Sequence, residues 1–164
     1  MVKFFLLLLF ATLLSAQLYA QDAVLRVYTD KKKQAHVVST NGKDTVIPPQ
    51  NGQVGIDSVR TAEDGQTVGW LVLYANPESG APFAGMLVVW QSDEVIRRFK
   101  ADQTFWSWAF YDHGSQVAYH VGPTHGEKKS HCELHDLKAR RLMASWDGDL
   151  DNPDRPLWTK GLDH

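Results

Sequence analysis

The sequence has 164 residues, 17 basic against 19 acidic side chains for a formal net charge of −2, and one cysteine. That balance excludes a nucleic-acid surface, which needs clustered Lys and Arg; the only dense basic run, Lys31 to Lys33, reads as a solvated turn. A single Cys excludes an internal disulfide, so stability must come from packing, with Cys132 expected as a small apolar core residue.

The chain begins MVKFFLLLLFATLLSAQLYAQD, with Lys3 ahead of an uncharged apolar run from Phe4 to Leu14 and small residues before Ala20. This is the pattern of a secretory signal peptide. The run weakens at Ser15 to Gln17, short of the roughly 20 apolar residues that a membrane span requires. Cleavage of residues 1–20 is expected, with export to the periplasm or beyond and no membrane attachment afterwards. Loss of Lys3 takes the formal charge to −3 and leaves residues 21–164, one domain with enough chain for a real core.

From Ala23 onward come AVLRVYTD, AHVVST, TVIPP, TVGWLVLY, GMLVVWQ, EVIRRF, FWSWAF and QVAYHV, short β-branched or aromatic runs bounded by Gly, Asp, Asn and Pro. Each reads as a short strand, and Asn41-Gly42 supplies the positive φ of a tight hairpin. The fold class is all-β, an antiparallel meander. CELHDLKARRLMASW is rich in helix formers and competes with that reading locally.

The strands repeat. SVRTAEDGQTVGWLVLY from Ser58 lines up with SWAFYDHGSQVAYHVG from Ser107, so that Asp64-Gly65 falls on His113-Gly114 and Val68 on Val117, an offset of about 49 residues. GMLVVWQSDEVIRRF then answers to SHCELHDLKARRLMASW, which favours a hairpin over a helix there. Units of four strands follow at about 56–99 and 105–146, with a half-unit, AHVVSTNGKDTVIPP, ahead of them. These segments resemble the strand-turn-strand core and closing hairpin of TolB-like and WD-like β-propeller repeats, and the whole chain resembles small exported bacterial proteins of unassigned function. The resemblance implies a binding or scaffolding surface and carries over no catalytic residue. Propellers close with four to eight blades, whereas this chain holds about two and a half units. A monomer curled into a sandwich or open barrel is therefore expected.

In such units the connection between second and third strands lies opposite the other turns, so NPESGAPFAG (Asn76 to Gly85) and GPTHGEKK (Gly122 to Lys129) share one rim. Asn76, Glu78, Phe83 and His125 are its candidate ligand contacts. Trp106 and Trp108, sharing a strand face at spacing two, are candidates for an aromatic platform. Chemistry is sparse: there is no G-x-S-x-G elbow, phosphate loop, paired CxxC, H-E-x-x-H or EF-hand loop.

The one titratable cluster is YHVGPTHGEKKSHCELHD, with His120, His125, His131 and His135. His131, Glu133 and His135 alternate onto one strand face, and a register placing Val117 and Tyr119 with Cys132 and Leu134 would add His120 to them. Such a set could hold zinc; otherwise no cofactor is expected. The sequence thus leads to an exported, non-catalytic module for a protein, peptide or glycan ligand, with a metal-binding protein or metal-dependent enzyme as the alternative.

Overall fold

The computed structural model describes residues 22–92, 94–124 and 129–163; the expected signal peptide and His125 lie outside them. The described residues form eleven strands: β1 (Val24–Thr29), β2 (Ala35–Ser39), β3 (Asp44–Ile47), β4 (Gln53–Thr61), β5 (Val68–Tyr74), β6 (Phe83–Gln91), β7 (Glu94–Lys100), β8 (Thr104–Tyr111), β9 (Gln116–Gly122), β10 (His131–Asp136) and β11 (Arg141–Asp147). All pairings are antiparallel between sequence neighbours, giving sheets β1–β3, β4–β7 and β8–β11. No described helix is long and apolar enough to cross a membrane.

The three sheets stack in layers instead of closing into one barrel. The middle sheet explains the near-continuous apolar run VGWLVLY, because both faces of β5 are buried. Val68, Trp70 and Val72 meet Ala35, Val37 and Ile47 of the first sheet. Leu71, with Leu87, Val89 and Phe99, meets Phe105, Trp108, Val117 and Tyr119 of the third. The outer face of the third sheet carries Ala118, Cys132 and Leu134 and is covered by the C-terminal 3₁₀ helix Leu157–Leu162, whose Leu162 is 1% exposed. Ser107 Oγ donates to Leu162 O at 2.7 Å and Tyr111 OH to Trp158 O at 2.7 Å, fixing that helix on the sheet.

Two sequence expectations change in detail, and one local ambiguity is resolved. The supposed half-unit belongs to a complete three-stranded sheet that begins with AVLRVYTD. CELHDLKARRLMASW is the hairpin β10–β11, as the repeat required: Cys132 and Leu134 face the C-terminal helix at period two, while Leu137 enters the core between sheets. Tertiary burial outweighs the weak helical preference of those residues. The register, however, is the reverse of the one that would gather the histidines. Directly opposed residues share a face, and β9–β10 pairs Cys132 with His120 and Glu133 with Tyr119. His120 therefore lies on the outer face with Cys132, across the sheet from His131, Glu133 and His135.

The turns between first and second strands of the two four-stranded sheets correspond. Gly65 and Gly114 both take positive φ, +68° and +96°. The turns also touch, since His113 Nδ1 lies 2.7 Å from Glu63 Oε2.

Candidate functional site

The β5–β6 loop and the start of the β9–β10 connection do share one rim. Asn76 and Phe83 from the first, and Gly122, Pro123 and Thr124 from the second, line a common cleft of about 290 Å³. A third segment completes it: Asp102, Gln103 and Thr104 of the β7–β8 linker. Two further clefts open on either side of this linker. One, about 560 Å³, lies against Tyr74, Phe83, Lys100 and Asp102 with Gln50 and Asn51. The other, about 420 Å³, lies between Lys100 to Gln103 and the side chains of Tyr119, His131 and Glu133. Phe83 and Asp102 belong to the first two clefts, and Asp102 to all three, so the depressions adjoin one another around the linker.

Local sequence explains this surface. Asn76 Oδ1 accepts the Glu78 amide at 3.0 Å, an Asx turn that bends the loop and leaves Glu78 exposed and outside the clefts. Tyr74 and Phe83 are paired across β5–β6, with ring centroids 6.0 Å apart. Both rings lie close over Gly85, where a Cβ would come within 2.8 Å of Tyr74 Cδ2 and 3.1 Å of Phe83 Cε2. The result is an aromatic pair surrounded by amides, one lysine and one carboxylate. Apolar area with a few placed polar groups is the usual composition of a ligand site.

The tryptophans behave differently from the expectation that they share a face. A bulge between Phe105 and Ser107 changes the strand's phase, so that Trp106 is 51% exposed while Trp108 is fully buried. Trp108 Nε1 donates to Ser58 O at 3.1 Å, which satisfies its polar atom inside the core. Neither tryptophan lines the rim clefts.

His131 and His135 are drawn together by Glu133. Tyr119 OH and His135 Nε2–H both donate to Glu133 Oε2, the latter at 2.5 Å, and His131 Nε2–H donates to Oε1 at 3.1 Å. On its other side His131 Nδ1 lies 2.5 Å from Asp147 Oδ1. A histidine between two carboxylates donates from both nitrogens only as the imidazolium. Burial opposes that charge, but the hydrogen bonds to Asp147 and Glu133 outweigh it and raise the His131 pKa. The hydrogen bond from His135, against burial and with help from Tyr119 and His131, lowers Glu133 to about 2. Desolvation and the Glu133 contact raise the Tyr119 phenol.

His135 stacks on Tyr119 with centroids 5.7 Å apart, and its Nδ1 is buried without a hydrogen-bond partner among the described residues. Among the described residues no three His, Cys, Asp or Glu side chains are arranged to hold a metal ion. Glu133 accepts hydrogen bonds from His131 and His135 in the place where zinc ligation was the alternative reading, and His120 faces away.

Sequence reasoning missed Lys100, Asp102 and Gln103, although strand four of each unit exits at the same end as the second connection and so must feed the rim. Tyr74, Gln50 and Asn51 gave no separate signal, and Asp147 joined the histidine network only through the β10–β11 register. Comparison with protein-family models and with curated proteins gave no match.

Proposed function

We propose that this chain is an exported binding module, built from blade units of the TolB-like and WD-like kind, that holds an extended, hydrogen-bonding ligand of peptide or glycan type along the rim. The three adjoining clefts around Asp102, two of them lined by Phe83, carry the reading. A group of adjoining depressions with two ring faces, several amides and charged groups of both signs suits a ligand that alternates apolar surface with donors and acceptors. Loops on a rigid β scaffold are where such contacts are usually placed. The N-terminal apolar run supports export. The test is a screen of the mature protein against peptide and glycan arrays, with each hit measured again on Phe83→Ala and Asp102→Asn. Binding weakened about tenfold or more by these changes is expected. Hits that bind both variants as well as the parent would refute the rim as the site.

A further inference from the structure

We propose a second site, separate from the rim, on the outer face of the β8–β11 sheet, where a cleft beneath Trp106 takes an organic cation carrying an ammonium or guanidinium group. The cleft measures about 480 Å³ and lies between that face and the segment that follows β11.

Its platform is the indole of Trp106. The β8 bulge turns this side chain outward, where it is 51% exposed. The opposite edge of the ring rests on β9 at Gly122, where a Cβ would stand 3.0 Å from Nε1 and 3.1 Å from Cδ1. The ring is thus seated along one edge and open over the cleft. Leu150 and Leu162 supply apolar walls.

The polar groups around this platform are electron-rich. Ser107 Oγ–H donates its hydrogen bond to Leu162 O, which leaves the oxygen's lone pairs as acceptors. His120 has a buried Nε2 with no hydrogen-bond partner among the described residues. Burial, opposed only in part by Asp149, lowers the His120 pKa, so the ring adds no positive charge to the cleft. Asp151 adds a carboxylate. The one cation of the cleft, Arg155, makes a two-pronged salt bridge to Asp163 through both terminal nitrogens, which neutralises it locally. A π face and a carboxylate, Asp151, additional to the Asp163 that pairs Arg155 leave the cleft net negative, which matches a donor-rich positive group. An anion would meet the negative face of the indole and Asp151.

The test uses the mature protein with choline and arginine amide as probes and 3,3-dimethylbutanol as the uncharged isostere of choline. Indole N–H resonances are followed by NMR, with Trp106→Tyr identifying the signal of interest. A saturable shift of the Trp106 signal is expected with at least one cation, with affinity about tenfold weaker for the isostere and about tenfold weaker in Trp106→Ala. Asp151→Asn should weaken binding about threefold and flatten its dependence on salt. Phe83→Ala should leave it unchanged, which separates this site from the rim. Equal binding of the uncharged isostere, retention of binding in Trp106→Ala, or no saturable shift with either cation would overturn the proposal.

Discussion

Replacing Gly114 by Ala probes how the two four-stranded sheets meet, and its cost can be worked from the structure. Gly114 sits at φ +96°, and an L-residue in left-handed backbone costs about 1–2 kcal/mol. Ala also narrows the unfolded ensemble, which returns roughly 0.4–1 kcal/mol. The larger effect is contact. The new Cβ would stand 2.7 Å from Ala62 Cβ and 3.1 Å from Asp64 Oδ2, inside the usual carbon separation of about 3.5 Å. Asp64 cannot swing clear, because its Oδ1 accepts the amides of Gln66 and Thr67 at 2.9 and 2.8 Å. Overpacking of this kind costs about 1–3 kcal/mol. The sum is about 3 kcal/mol, read as a fall in melting temperature of roughly 10 °C in a domain of this size. Gly65→Ala is the control. Its φ is +68°, but its nearest neighbour, Ala23 Cβ, lies at an ordinary 3.6 Å, so only about 1 kcal/mol is expected. Adding Ala62→Gly to Gly114→Ala should recover about half of the loss by chemical denaturation. Equal losses for the two glycines, or no recovery in the double variant, would refute the account of the turns as a packed contact between sheets.

Stability should also peak in a window set by the Glu133 network. The Glu133 pKa is depressed, so its contribution is present above the ordinary carboxylate range and is lost as pH falls towards about 2. The His131 pKa is raised, so its contribution is full below the ordinary histidine value and is lost as pH rises through the higher folded value. Glu133→Gln should cost roughly 2 kcal/mol near pH 6, allowing for solvent screening, and should flatten both limbs of a melting-temperature against pH profile; unchanged limbs would place the titration elsewhere. Ser107→Ala combined with Tyr111→Phe removes both anchors of the C-terminal helix, so Cys132, buried and with its thiol pushed up to about 11, should become markedly more reactive towards a disulfide reagent while the rest of the fold melts cooperatively. No increase in thiol reactivity would show that the helix is held by packing alone. Intact mass of exported protein should correspond to a chain starting near Gln21, and a full-length, membrane-retained product would contradict the signal-peptide reading.

The class and the order of the fold were legible because they depend on local patterning. Short β-branched runs with turn residues between them gave the strands, and the 49-residue offset gave two matching four-stranded units whose Gly65 and Gly114 take the same backbone region. The rim was legible for the same reason, since an antiparallel meander alternates its connections between two ends. What failed was phase. A single bulge at Trp106 breaks the rule that residues two apart share a face, and nothing in FWSWAF marks where it falls. The expected placement of His120 failed for a related cause. It needed Val117 and Tyr119 on the face of Cys132 and Leu134, but both faces of the β9–β10 hairpin are covered, by the middle sheet on one side and the C-terminal helix on the other. With apolar residues on both faces, alternation no longer distinguishes one register from the other.

The same layering separates what the core requires from what the rim can offer. Trp108, Val117 and Tyr119 are fixed by the sheets on either side, so substitutions there are read out as stability. At the rim the fold constrains mainly the seat, Gly85 under Tyr74 and Phe83. The side chains of Gln103 and Asp102 come from a linker whose geometric task is only to carry the chain from one sheet to the next, and backbone can do that alone. Glu133 belongs to both sets, because its carboxylate joins β9, β10 and, through His131, β11 while bordering the cleft beside Lys100. A ligand charge entering that cleft would therefore act on the same carboxylate that ties the third sheet together, whereas a contact at Asn76 or Phe83 would leave that network untouched.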